Sequence, residues 1–246
     1  MSEFDQLCRR AEALGLAVRG AFHPAPGELA AALPGVSAGT IALLGFTGSL
    51  QWPHFERSAE AMDGLPNPLD RWSRRMIGAL AREFGAVDIY PSAPPLLPFQ
   101  RFSLRSEPVH PSPIGLLIHP RWGLWHAYRG ALVFERRIEL SPIDLSPERP
   151  PIERPPIESK ASPCEACAAK PCLSACPVHA FGGGAYDLDA CVNHVRSAAG
   201  AACREGGCLA RRACPVGDEF RYVIAQARFH TEAFLRSTAR TPGEST

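Results

Sequence analysis

The sequence predicts an α+β protein in two parts, a mixed α/β domain followed by a small cysteine-rich domain. Helix-type and strand-type apolar patterns alternate over residues 1–140. Proline is frequent over residues 141–163, as is typical of an extended linker. Eight of the nine cysteines fall between Cys164 and Cys214. We therefore predict domains at 1–140 and 164–246, joined by the linker.

Two helices are expected in the first domain. Ser2 and Asp5 have the spacing of a capping box, and apolar residues follow at helical intervals, which predicts a helix over residues 3–15. Asn67 is an N-cap residue followed by proline at the first helical position, and Gly85 is a typical C-terminal stop. A second, longer helix is therefore expected between Asn67 and Gly85.

Short apolar runs predict the strands of the first domain. These runs are residues 40–46, 86–90, 114–118, 130–134 and 137–140. At the other end of the chain, apolar residues recur at helical spacing from Phe220 to Phe234, which predicts a helix there.

Composition excludes several classes of protein. With 46% hydrophobic residues, 21% charged residues and a net charge of +1, the chain is neither disordered nor polybasic. It opens on acidic residues without an apolar signal-peptide core, and no stretch approaches about 18 apolar residues. We therefore expect a cytoplasmic protein with neither a membrane nor a nucleic acid as partner. In a reducing cytosol, clustered thiols are better explained as metal ligands than as disulfides.

The cysteine spacing points to iron–sulfur clusters. The first four cysteines read C-x2-C-x4-C-x3-C-P, close to the C-x2-C-x2-C-x3-C-P run of bacterial ferredoxins. Cys203, Cys208 and Cys214 repeat the later part of that run with a two-residue insertion, and Cys191 lies between the two runs. Short spacings let several thiolates surround one cluster, and each Cys-Pro step turns the chain away from it.

In the two-cluster ferredoxin pattern, the fourth cysteine of each run binds the other cluster. Applied here, this pattern predicts a ferredoxin-like domain with two [4Fe–4S] clusters. One would be held by Cys164, Cys167, Cys172 and Cys214, and the other by Cys176, Cys191, Cys203 and Cys208. Arg211 and Arg212 are candidates to offset the negative charge of the clusters. Zinc is the alternative occupant, although the second run lacks the C-x2-C pair of zinc ribbons.

A segment of the first domain resembles a known family. Residues His119 to Gly130 read HPRWGLWHAYRG, between two apolar runs. This segment resembles the H-P-R-aromatic-G-x-W-x-x-x-R-G signature of cobalamin-trafficking chaperones. The resemblance implies a flavin-reductase-like or nitroreductase-like α/β fold and a corrinoid pocket that includes His119, Trp125 and Arg129.

The cysteine region carries a second resemblance. Its order of four cysteines, then one, then three is similar to that of epoxyqueuosine reductases and reductive dehalogenases, which join a related corrinoid-binding domain to a dicluster ferredoxin domain. Together the two resemblances imply an iron–sulfur reductase that passes single electrons to a corrinoid. In epoxyqueuosine reductases an acidic proton donor precedes an S/T-A-P-x-L segment, whereas Pro91 precedes Ser92 here.

Three functions are therefore compared. The first is an oxidoreductase that takes electrons from a donor protein or small reductant and passes them through two clusters to cobalamin. The second is an electron-transfer ferredoxin whose first domain docks a partner. The third is a tRNA-modifying reductase, which the missing acidic residue disfavours. The sequence singles out no catalytic residue.

Overall fold

The computed structural model describes residues 2–140, 161–182 and 184–238. These residues form two compact units. Unit 1 contains residues 2–109 and 126–140, and unit 2 contains residues 110–125 and 161–238. Helices combine with a small antiparallel sheet, so the predicted α+β class is confirmed. Most of the predicted linker, residues 141–160, lies outside the described residues.

The described residues contain six strands. They are β1 (Ala17–Phe22), β2 (Thr40–Thr47), β3 (Val87–Ile89), β4 (His110–Pro111), β5 (Leu117–Ile118) and β6 (His126–Phe134). Unit 1 holds one four-stranded sheet in the order β1-β2-β6-β3, and every neighbouring pair is antiparallel. The pairing of β2 with β6 runs from Thr40 opposite Phe134 to Thr47 opposite His126. Every residue of β2 is buried, which explains its continuous apolar sequence.

The helices of unit 1 follow the predicted end signals. They are α1 (Glu3–Ala13), α2 (Trp52–Glu56), α3 (Ala59–Met62), α4 (Pro68–Phe84) and α5 (Phe99–Ser106). The Ser2 hydroxyl accepts from the backbone N of Asp5 at 3.1 Å, and the Asp5 carboxylate accepts from the backbone N of Ser2 at 2.9 Å. The predicted capping box is therefore present. The α4 helix ends at Gly85 in the left-handed conformation, while the side chain of Asn67 makes no cap hydrogen bond.

The elements predicted for unit 1 differ from the structure in two ways: one predicted strand does not form, and some elements of the structure were not predicted. The strand predicted at residues 137–140 does not form, because the backbone N–H of Ile138 donates to the Thr40 hydroxyl rather than to a strand partner. Before it, Arg136 donates to the backbone oxygen of Phe84 and thereby holds the turn that follows β6. The β1 strand and the α5 helix were not predicted from the sequence.

Unit 2 consists mainly of short helices. They are α6 (Pro163–Ala166), α7 (Pro171–Ser174), α8 (Leu188–Arg196), α9 (Ala201–Gly206), α10 (Leu209–Arg212) and α11 (Ile224–Ser237). The strand predicted at residues 114–118 is mostly a turn between β4 and β5. Its backbone bonds run from Gly115 N to Ser112 O at 3.0 Å and from Ser112 N to Leu116 O at 2.9 Å, and Gly115 has a positive φ of 75°.

Residues 110–125 differ from the predicted domain division, because they belong to unit 2 rather than to the unit that holds the sheet. Ile114, Ile118 and Leu124 pack in one buried cluster with Cys172 and Cys214. The short helices of the cysteine region offer little apolar surface of their own, so this segment completes their core. None of the helices in the described residues is long and apolar enough to cross a membrane.

Candidate metal centre

Four cysteines of unit 2 form a first thiol group. It consists of Cys164, Cys167, Cys172 and Cys214. The α6 helix carries Cys164 and ends at Cys167, the α7 helix carries Cys172, and Cys214 follows α10. Lys170 closes the loop between α6 and α7, with Nζ 2.9 Å from the backbone oxygen of Cys164 and 3.4 Å from that of Cys167.

Electrostatic interactions connect the members of the first thiol group. Burial raises the pKa of Cys172, and the charges of Cys164 and Cys167 raise it further. Burial also raises the pKa of Cys214, on which Cys164, Cys172 and Cys167 all act. A backbone N–H of Val216 partly offsets this by donating to the Cys214 thiolate. The spacing assigns these four thiols to one cluster, and that assignment stays a prediction.

The remaining four cysteines form a second thiol group around one cavity. It consists of Cys176, Cys191, Cys203 and Cys208. All four line a cavity of about 220 Å³. The cysteines come from different local elements, since Cys176 follows α7, Cys191 lies on α8, Cys203 lies on α9, and Cys208 precedes α10. Elements far apart in sequence therefore converge on one space.

The second thiol group is also electrostatically connected. Burial raises the pKa of Cys191, and the charges of Cys176 and Cys203 add to the effect. Cys208 is exposed as a residue, yet burial of its thiol raises its pKa, and the charges of Cys203 and Cys191 raise it further. The spacing assigns these four thiols to the other cluster, and that assignment also stays a prediction.

Hydrogen-bond donors surround the thiols of the second group. The backbone N of Ala180 lies 3.4 Å from the Sγ of Cys176. Backbone N–H groups of Arg211 and Ala210 donate to the thiolate of Cys208 and lower its pKa against the effect of burial. Such donors stabilise thiolate ligands and the sulfurs of iron–sulfur clusters. These donors offset only part of the effect of burial, which still raises the pKa of Cys208 overall.

Aromatic residues and one cation complete the wall of the cavity. The guanidinium carbon of Arg211 lies 4.7 Å from the ring centroid of Trp125 and 4.4 Å from that of Tyr222. Trp125 is only 3% exposed, and its indole Nε1 has no hydrogen-bond partner among the described residues. A buried donor without a partner is costly. The sulfides of a cluster in this cavity would be acceptors for it, so the wall fits an occupant of that kind.

Within the part of the chain that the structure describes, no group of three or more His, Cys, Asp or Glu side chains is arranged to hold a metal ion. Four thiolates bind one ion in a zinc site, and each binds a different iron in a [4Fe–4S] cluster. The spacing in the sequence, rather than this arrangement, is what favours clusters, with zinc as the alternative.

The three residues expected in a corrinoid pocket are divided between the units. His119 lies in unit 2, where its Nδ1 accepts from the backbone N of Arg121 at 3.0 Å and of Trp122 at 3.2 Å. Trp125 also lies in unit 2, on the wall of the second thiol group. Arg129 lies in unit 1 on β6, where it donates to the Asp70 carboxylate and, through Nε at 3.0 Å, to the Ser73 hydroxyl.

Arg129 lines a smaller cavity of its own in unit 1. This cavity measures about 110 Å³ and also includes Asp70, Arg74, Tyr90 and Tyr128. Its volume is below the usual range of about 300–1,000 Å³ for small-molecule sites. The structure therefore groups Arg129 with α4 and Trp125 with the thiols.

No protein-family model matches this chain, and no curated protein matches it in sequence.

Several residues of the site carry no signal in the sequence. Tyr186, Tyr222 and His230 line the cavity of the second thiol group, yet none belongs to a motif. Tyr222 precedes α11 and His230 lies within it. Only the fold brings their rings together, with centroids 5.4 Å apart. Arg211 was predicted as a counter-charge because it lies near Cys214, and its contacts with two aromatic rings were not foreseen.

Proposed function

We propose that this protein is an electron carrier with two [4Fe–4S] clusters. The first thiol group would hold one cluster and the second thiol group the other. The observation that carries the proposal is the cavity lined by Cys176, Cys191, Cys203 and Cys208, because these are the four thiols that the spacing assigns to one cluster. When bound, each cluster supplies a site that accepts and releases one electron.

The chain's own residues have separate tasks in this proposal. The thiolates bind iron, and backbone N–H groups such as those of Ala210 and Arg211 stabilise their charge. Trp125 and Tyr222 limit water at the second thiol group, and Arg211 places a positive charge beside it. The cation and the hydrogen-bond donors favour the reduced, more negative state, whereas the exclusion of water opposes it.

A reductive titration tests the proposal. Anaerobic protein is titrated with dithionite while absorbance and electron paramagnetic resonance are recorded. Two clusters predict an uptake of about two electrons per chain, with signals from reduced [4Fe–4S] centres. A protein that takes up no electrons, or that contains zinc without acid-labile sulfide, contradicts it.

Cobalamin is the electron acceptor that the resemblance at residues 119–130 suggests. A corrinoid would supply cobalt as the redox partner of the clusters. Adding cob(II)alamin to the holoprotein tests this acceptor by a change from base-on to base-off absorption. The change should be lost in Arg129→Met, whereas Arg82→Met, which alters an exposed arginine of α4 outside the cavity of Arg129, should retain it. An unchanged cob(II)alamin spectrum with the wild-type protein contradicts corrinoid binding and favours a ferredoxin that docks a protein partner.

A further inference from the structure

The cavity of the second thiol group borders the surface of unit 2 near the start of the α11 helix. Cys208 is exposed, whereas each cysteine of the first thiol group is buried or half-buried. Tyr222, which precedes α11, and Ala227, which lies on it, both line the cavity. The first turn of α11 and the residues before it therefore adjoin the place that a cluster would occupy.

Two large apolar side chains are exposed at this place. Val223 is 49% exposed and Ile224 is 67% exposed, and both follow directly after Tyr222. In protein interfaces, apolar side chains form the centre and polar or charged residues lie around them. The pair is therefore suited to the centre of a small interface.

Three exposed arginines accompany this apolar pair. They are Arg212, Arg221 and Arg228. A Cβ atom placed on Gly206 would lie 2.6 Å from Nη1 of Arg212, so this guanidinium covers a glycine that lines the cavity. Arg221 donates to the backbone oxygen of Arg212 at 2.7 Å. Arg228 comes four residues after Ile224, which places both on the same face of α11.

The positive charge of this surface is only partly offset. Arg221 pairs with Asp218, whereas among the residues that the structure describes neither Arg212 nor Arg228 forms an ion pair. Residues 204–228 contain five arginines and three acidic residues, which leaves a net charge of +2. Since arginine stays protonated in proteins, the surface is positive at any pH at which the protein is folded.

We propose that an acidic electron-transfer protein docks on this face of unit 2 and exchanges electrons with the second cluster. The docking face consists of Arg212, Arg221, Val223, Ile224 and Arg228. The inference rests on the proposed function, because it requires a cluster in the second thiol group. Positive charge attracts an acidic partner and speeds its encounter, and redox proteins form small, short-lived interfaces. One electron leaves the reduced cofactor of one protein and enters the oxidised cofactor of the other, and no bond forms or breaks.

A nucleic acid is the other kind of partner that arginines attract. Contacts to its phosphates are made by charged and polar groups, which leaves the exposed Val223 and Ile224 without a role. A protein interface uses both the apolar pair and the charges around it. The docking face therefore fits an acidic protein better.

The experiment measures how fast the dithionite-reduced holoprotein reduces two protein acceptors in a stopped-flow instrument. Oxidised plastocyanin is the acidic probe, and oxidised cytochrome c is the basic one. Arg228→Gln is compared with Arg236→Gln at equal iron content. Arg236 is also exposed and lies on the same helix, about two turns or about 12 Å beyond Arg228, so both variants lose one charge.

We expect Arg228→Gln to lower the second-order rate constant with plastocyanin by about twofold to fivefold at an ionic strength of about 0.1 M. Arg236→Gln should change it by less than about 1.5-fold, because the Debye length is then about 10 Å. The difference between the variants should disappear at about 1 M salt. The rate constant with cytochrome c should not fall in Arg228→Gln.

Three results overturn the docking face without affecting the proposed function. The first is an equal rate constant with plastocyanin for iron-loaded Arg228→Gln and Arg236→Gln. The second is an equal fall with both acceptors in Arg228→Gln. The third is transfer RNA that binds the wild type and not Arg228→Gln, with the plastocyanin rates unchanged, which would assign the face to a nucleic acid. A wild-type protein without iron and sulfide overturns both proposals.

Discussion

The guanidinium group of Arg211 donates to the backbone carbonyl oxygen of Leu124, with Nε 3.1 Å from that oxygen. Leu124 belongs to residues 110–125, and Arg211 lies on α10 between Cys208 and Cys214. The same guanidinium lies against the rings of Trp125 and Tyr222, which contact each other edge-on. One side chain therefore attaches residues 110–125 to the thiol-bearing part of unit 2.

The substitution Arg211→Lys should destabilise unit 2. Lysine keeps the charge but loses the forked hydrogen bonds and the planar stacking, so we expect the free energy of unfolding to fall by about 1–3 kcal/mol. Urea unfolding of the holoprotein followed by tryptophan fluorescence measures the change. The exposed neighbour Arg212→Lys is the control and should shift the free energy by less than about 0.5 kcal/mol. Equal effects of both substitutions would refute the role of Arg211.

Gly123 is expected to be intolerant of a side chain. A Cβ atom there would lie 1.8 Å from the backbone oxygen of Val216, and the residue has a positive φ of 55°. Gly115 has a positive φ of 75° but no atom within 4 Å of a Cβ, so it shares the conformational cost without the clash. We expect Gly115→Ala to cost about 1–2 kcal/mol, and Gly123→Ala to cost at least about 1–3 kcal/mol more.

Urea unfolding of both glycine variants checks this prediction. The comparison is informative because the two residues lie in the same segment of unit 2. If Gly123→Ala and Gly115→Ala have the same free energy of unfolding, then the close approach of Gly123 to Val216 does not exist in solution.

Cys8 should play no part in iron binding. Burial raises the pKa of its thiol to about 12, and the charges of Asp5 and Glu12 raise it as well, so the thiol stays protonated at neutral pH. The variant Cys8→Ala should therefore retain about eight iron atoms per chain, whereas Cys191→Ala should lose about half of them. Iron analysis of the two purified variants distinguishes these outcomes. Iron loss in Cys8→Ala, or full retention in Cys191→Ala, would require a different ligand assignment.

Glu60 should make the stability of unit 1 depend on acid pH. Its carboxylate accepts from Arg75, with Nε at 2.6 Å from Oε1, and this bond lowers the pKa of Glu60 to about 2. A carboxylate with a lowered pKa stabilises the fold above its unfolded pKa of about 4.3 and loses that contribution as the pH falls toward 2. Because Arg75 is half exposed, the contribution should be about 1 kcal/mol or less.

The measurement is the difference in free energy of unfolding between wild type and Glu60→Gln. We expect the advantage of the wild type to be complete at pH 6 and to shrink as the pH falls from about 4.5 to about 3. A difference that stays constant across this range would mean that the ion pair does not form.

The elements predicted correctly from the sequence are those with strong local signals. The capping box at Ser2 and the glycine stop at Gly85 depend on side chains a few residues apart, and both are present. Strand β2 was evident because a fully buried strand is apolar throughout. The four thiols that the spacing assigns to the second cluster line one cavity, while the binding of clusters stays a prediction.

The features that were missed depend on distant contacts. Residues 110–125 have an apolar pattern suited to either unit, and only their packing against Cys172 and Cys214 assigns them to unit 2. In the predicted strand at 137–140, the backbone N–H of Ile138 donates to the Thr40 hydroxyl instead of to a neighbouring strand. Tyr186 belongs to no motif, because only the fold brings its ring onto Phe181 and to the cavity of the second thiol group.

Iron and acid-labile sulfide analysis of anaerobically purified protein tests the central claim most directly. Two [4Fe–4S] clusters in the two thiol groups predict about eight iron atoms and about eight sulfides per chain. Zinc bound in place of iron, with no acid-labile sulfide, would contradict the account.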